Sequence, residues 1–157
     1  MTAQPVACAL LLVFSLFATR ASADDASSER EAGIALQRYV DVLRRQDAQG
    51  VALSFEPDGS MAHEGGTPIA GRAAIRAFLD SFSSYRIVSH VMTVTSVAAA
   101  GDQLTQSGTY AQTVRTPEGQ TLRVSGTFVA AWRHQADGQW LLWSLLTASP
   151  GARDGGG

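Results

Sequence analysis

The chain has 157 residues, 45% of them apolar and 17% charged, with a formal net charge of −2. That is room for one domain with one core, and it is too apolar and too weakly charged for a disordered chain. The pI near 5.8 argues against a nucleic-acid partner, which requires a basic face. All 12 basic residues are Arg, and there is no Lys or Asn. We read this as GC-rich coding, and the missing Asn removes any N-glycosylation sequon.

Val6 to Ala18 form an apolar stretch of 13 residues, short of the roughly 20 needed to span a bilayer. It suits the hydrophobic region of a secretory signal peptide, although the leading Met-Thr-Ala-Gln-Pro carries no basic side chain. Ala21-Ser22-Ala23 supplies the small residues of a cleavage site. The expectation is residues 1–23 as signal peptide, cleavage after Ala23, and a periplasmic or secreted product with no membrane contact once cleaved. The single cysteine, Cys8, lies inside the stretch. The mature chain then has no disulfide, no thiolate metal site and no Cys nucleophile.

From Ser28 the pattern Ser-Glu-Arg-Glu reads as a capping box. Ile34, Leu36, Tyr39, Val40, Val42 and Leu43 follow at helical spacing, and the helix runs to about Gln46. Asp47 is the cap of a short second helix from Ala48 to Phe55. Pro57-Asp58-Gly59 reads as a turn, Ser60–Glu64 as a short strand, and Gly71 opens a third helix that ends near Ser84.

After Tyr85 the period changes to two. Arg86–Val97, Gln103–Arg115, Thr121–His134 and Trp140–Ala148 read as strands joined by Gly-containing hairpin turns. Helices followed by an antiparallel meander predict an α+β domain over residues 24–150, with the helices on one sheet face. Gly151–Gly157 is expected to be a disordered tail. His63, His90 and His134 lack metal-ligand spacing, and no phosphate loop or Gly-x-Ser-x-Gly elbow occurs, so no metal and no cofactor are expected.

One stretch carries a family pattern: Arg38-Tyr39-Val40, then Asp47, Phe55 and Asp58, then Pro68-Ile69, Gly71-Arg72, Ile75 and Phe78. It resembles the bacterial ketosteroid isomerases of the nuclear-transport-factor-2-like (NTF2-like) superfamily, which also holds SnoaL-like polyketide cyclases and exported domains of the DUF4440 type. The resemblance covers essentially the whole mature chain. It implies a cone in which helices pack into the concave face of a strongly curved, mostly antiparallel sheet around a pocket. It also implies a homodimer, for which Phe82, Val91, Val129 and Leu146 are candidates on the outer face.

A ketosteroid isomerase uses a carboxylate base and an oxyanion hole made of a Tyr and a protonated Asp. By position, Tyr39 matches the tyrosine, His63 falls where the base belongs, and Ala130 falls where the protonated Asp belongs. Phe55 and Leu79 replace the supporting phenols. The usual isomerase machinery is therefore broken. The implied function is binding of a small hydrophobic ligand. The alternative is a proton-transfer enzyme (isomerase, cyclase or dehydratase) with His63 as base and Tyr39 as oxyanion donor, so whether the chain is an enzyme stays open at this point.

Strand alternation completes the expected pocket. His90 shares a face with Val88, Met92 and Val94, and Tyr110 and Gln112 share one with Val114. Phe128, Ala130 and Trp132 form another set, as do Leu141, Trp143 and Leu145, and the resemblance turns both of these inward. The expected ligand-pocket residues are thus His90, Tyr110, Gln112, Phe128, Trp132 and Trp143.

Overall fold

A computed structural model describes residues 14–150, with side chains from Asp24 onward. Most of the apolar stretch from Val6, and the tail Gly151–Gly157, lie outside the described residues. Helix α1 spans Phe14–Arg44. It is continuous through Ser28, so the capping box does not form. Glu31 instead accepts hydrogen bonds from Ser27 Oγ (3.1 Å) and from Trp140 Nε1 (3.2 Å). Ala32, Leu36, Tyr39 and Val40 face the core, while Ile34 is 47% exposed and off the stripe. Gln46 adopts φ +57°, the left-handed conformation that stops a helix. Asp47 then caps α2 (Ala48–Leu53) by accepting from the Gly50 N–H at 2.8 Å.

The expected turn at Pro57-Asp58-Gly59 is a strand. β1 runs Phe55–His63, antiparallel to the two-residue β2 (Ile69–Ala70) and parallel to β6 (Trp140–Ala148). The β1–β6 register slips between Phe55 and Ser60. That irregularity absorbs Pro57, which has no N–H for a regular ladder. Helix α3 is shorter than expected, Arg72–Asp80. β3 (Arg86–Ala100), β4 (Gln103–Arg115) and β5 (Thr121–His134) complete a six-stranded sheet of order β2-β1-β6-β5-β4-β3. It is antiparallel except at β1–β6.

The apolar rows of the helices and the inner sheet face meet in one core containing Leu36, Phe55, Ile75, Leu104, Phe128 and Leu142. Two buried polar links hold it in register. The Trp132 indole N–H donates to the fully buried Gln106 Oε1 at 3.0 Å. Glu56, nearly buried, accepts from Arg133 Nη1 (3.3 Å) and Gln135 Nε2 (3.0 Å). An unmade bond at such a site costs about 1–3 kcal/mol, so these pairings specify register more than they add stability.

The strong bend of the sheet depends on two glycines. A Cβ on Gly108 would collide with the Thr93 carbonyl, and one on Gly126 with the Ala148 carbonyl. Neighbouring backbones approach there more closely than a side chain permits. Gly126→Ala is expected to destabilise by about 1–3 kcal/mol through forced overpacking. Gly33→Ala, in open space inside α1, is expected to stabilise by about 0.5–1 kcal/mol. Urea midpoints moving in opposite directions for the two variants are the expected readout; parallel shifts would contradict the close-approach argument.

Candidate functional site

Between α1, α3 and the concave sheet lies a cavity of about 660 Å³. Its deeper wall includes Val51, Met61, Met92 and Leu145. Its mouth carries Phe78 and Phe82 on one side and Leu122 and Val124 on the other, each 39–46% exposed. Phe78, Phe82 and Tyr85 form an edge-to-face series with centroids 5.1 and 5.8 Å apart. Gln46 fixes this rim: its amide donates to Tyr85 O (2.6 Å) and accepts from Ile87 N–H (3.3 Å). Phe82 therefore belongs to the cavity mouth and not to the outer sheet face. Asp80, exposed and 3.6 Å from Arg76, is the one formally charged side chain on the lining among the described residues.

Tyr39, His90, Tyr110 and Gln112 lie on the cavity wall. Tyr39 is buried, packs edge-on against Phe55 at 6.2 Å, and makes no hydrogen bond among the described residues. Burial pushes its hydroxyl well above the usual phenol range, so the ring stays neutral and able to donate. Phe128 and Trp132 are fully buried in the core and do not line the cavity.

The expected places of Phe128 and Trp132 on the pocket wall are thus corrected to the core, and two further site residues lie elsewhere. Trp143 is outside: the β5–β6 register passes from Ala131↔Ser144 to Trp132↔Leu142 and leaves Trp143 as the extra residue of a bulge. It is 39% exposed, beneath the Arg133 guanidinium at 4.9 Å. His63 is exposed at the end of β1 and does not line the cavity. The Thr147 hydroxyl donates to Ala62 O (3.4 Å), which leaves its oxygen to accept from His63 Nδ1–H (3.1 Å). Val88 also departs from the expected row. A bulge between Ile87 and Ser89 leaves it 52% exposed and brings Ile87 to the cavity.

His90 is the imidazole that the fold brings to the cavity. It is 7% exposed, and its ring stacks on Tyr110 at 6.3 Å. The Tyr110 hydroxyl is itself tied to Ser149 Oγ at 2.9 Å. His90 Nδ1 lies 2.8 Å from Gln112 Oε1. An amide oxygen only accepts, so Nδ1 carries the proton and Nε2 the lone pair. Nε2 is buried and meets no partner among the described residues. Burial lowers the His90 pKa below the ordinary imidazole value, the Gln112 hydrogen bond opposes this, and the charge of Arg44 on α1 adds to the lowering. Neutral His90 and neutral Tyr39 thus offer one strong acceptor and one donor in an otherwise apolar space. The described residues contain no group of three or more His, Cys, Asp or Glu arranged for a metal ion, and no helix long and apolar enough to cross a membrane.

Residues 36–143 match the model of the SnoaL-like domain, well over half of the chain. The chain therefore belongs to the SnoaL-like family, and its fold is NTF2-like. Among solved structures it is similar to a function-unknown protein from Mycobacterium tuberculosis (TM-score 0.73, 25% identity, covering 82% of this chain and 75% of that one). It is also similar to a ketosteroid isomerase-like protein from Erwinia carotovora atroseptica (0.69, 16%, 78% and 95%). A third is an NTF2-like protein with a cystatin-like fold from Novosphingobium aromaticivorans (0.68, 19%, 93% and 95%). No curated protein matches.

Burial of His90 has a consequence for stability. Above the ordinary value of 6.5 the imidazole is neutral in both folded and unfolded chains. Below it the unfolded chain takes up a proton that folded His90 resists, so stability falls as pH drops, and the loss levels off below the lowered folded pKa. Urea midpoints between about pH 7.5 and 5 should lose part of this slope in His90→Leu. An unchanged slope in the variant would remove His90 from the acid limb.

Proposed function

We propose that this chain is a binding module for a small, mostly apolar molecule held in the cone. The cavity carries this reading. Its 660 Å³ falls within the roughly 300–1,000 Å³ of small-molecule sites, and a few polar groups on a greasy wall are the usual composition of one. Ala130, fully buried, supplies no acid where the ketosteroid isomerases use one, which favours binding over that family's chemistry. Titration with the neutral dye N-phenyl-1-naphthylamine should give saturable one-to-one fluorescence enhancement. Ala62→Trp, which fills part of the cavity lining, should weaken it at least several-fold. No saturation with wild type, or equal binding by the filled variant, would overturn the reading.

A second reading, proton transfer, is favoured by one observation: a neutral imidazole, its Nε2 buried and without a partner among the described residues, belongs to the same cavity lining as a protonated phenol. It assigns the base to His90 and not to His63. With 2-tetralone in D₂O as probe, His90→Ala should slow α-deuteration by about 10²- to 10⁴-fold, while His63→Ala leaves it unchanged. Exchange no faster than in buffer alone would leave binding as the sole function.

We also propose export, with cleavage after Ala23, and a homodimer built on the outer sheet face. Val91, Val129 and Leu146 there are 56%, 42% and 42% exposed, too much apolar surface in one place to favour a lone copy. Cleavage would still leave α1 its core-facing residues from Ala32 onward. The secreted or periplasmic protein should have an intact mass starting at Asp24 and twice the monomer mass by light scattering. A retained leader would overturn the first claim, and a monomer at tens of micromolar the second.

A further inference from the structure

We propose that the cavity selects neutral ligands bearing a hydroxyl on an apolar body, with His90 Nε2 accepting the hydroxyl proton, and that it turns away carboxylates. This deepens the binding reading and rests on it. The acceptor is defined by geometry. Gln112 Oε1 holds Nδ1–H at 2.8 Å and so fixes the tautomer. Stacking on Tyr110, itself anchored to Ser149, restrains the ring. Nε2 is then a buried lone pair that no described residue satisfies. Such a group carries a desolvation cost that a donor from the ligand relieves, and an aliphatic or aryl hydrogen does not. Nε2 is covered by its neighbours, so the hydroxyl reaches it by a small displacement of the wall.

Charge accounts for the second half. A carboxylate taken out of water needs a cation or several donors. Among the described residues the lining offers no Arg, and its one charge is the acidic Asp80 at the mouth. Arg44, whose charge is felt at His90, is exposed on α1 and lies off the lining. Its field is screened by water. Gln46 on the rim has its carbonyl and one N–H committed to Ile87 and Tyr85, so what is left to the lining is a few neutral donors, the Tyr39 hydroxyl among them, with no cation beside them.

Three probes of one shape separate the contributions: 2-naphthol, naphthalene and 2-naphthoate, measured by calorimetry or NMR on the full protein at pH 7.5. Naphthol should bind about tenfold more tightly than naphthalene, and naphthoate should bind most weakly. In His90→Leu the naphthol preference should fall to near unity while naphthalene binding persists, which also reports an intact cavity. Gln112→Leu, which frees the tautomer without touching the acceptor, should lower the preference partway and stands in if His90→Leu does not fold. Naphthoate binding as tightly as naphthol, or a naphthol preference that survives in the variants, would overturn the proposal while leaving the binding module intact. Failure of all three probes to bind would overturn both.

Discussion

A sheet bent into a cone needs bulges that kink its strands and places where adjacent backbones come closer than side chains permit. Here the close approaches fall on Gly108 and Gly126, which face the carbonyls of Thr93 and Ala148. Everything else in the molecule depends on the bend. Without it the long strands β3 to β5 would lie flat on the helices and squeeze out any space. With it, the narrow end fills with Phe128, Trp132 and Leu104, and the wide end stays open as the cavity. Packing and hollow are two ends of one curvature.

The open end has a consistent chemistry. Its polar groups are few, and most are already satisfied by one another: Gln112 by His90, Tyr110 by Ser149, Gln46 by the rim backbone. Low dielectric strengthens each of these bonds and penalises each group left out. Tyr39 and His90 are the two buried titratable groups on the lining that keep capacity. Both are held neutral by the same burial that makes them unusual. Membership of the SnoaL-like family fixes the frame in which they sit, while the identity of the groups is this chain's own.

The sequence made the frame readable because its signals are redundant. Helical spacing in α1, the change of period after Tyr85 and three Gly-containing turns each point to helices followed by a meander. Tyr39 reaches the cavity wall on the core-facing stripe of α1, and His90, Tyr110 and Gln112 reach it because β3 and β4 alternate regularly between Ser89 and Val94 and opposite them. The misreadings of Val88 and Trp143 have one cause. A bulge adds a single residue and reverses the phase beyond it. Nothing in the composition near Ile87 or Trp143 announces one, so simple alternation puts Val88 and Trp143 on the wrong face. Pro57-Asp58-Gly59 carried turn chemistry, but tertiary pairing with β6 drew it into a strand. His63 was assigned from the family pattern, and the pattern fixes where a residue falls in a strand, not where its ring goes.

The Trp140–Glu31 hydrogen bond spans 109 residues of chain, and β1 finds its parallel partner only in β6, the last strand. Helix α1 also packs on β3, and β1 pairs with the short β2, but β1 gains its long partner only when the final hairpin has been made. Such long loop closures are entropically costly and slow. In a growing chain the sheet would close around β1 only once its C-terminal strand had emerged.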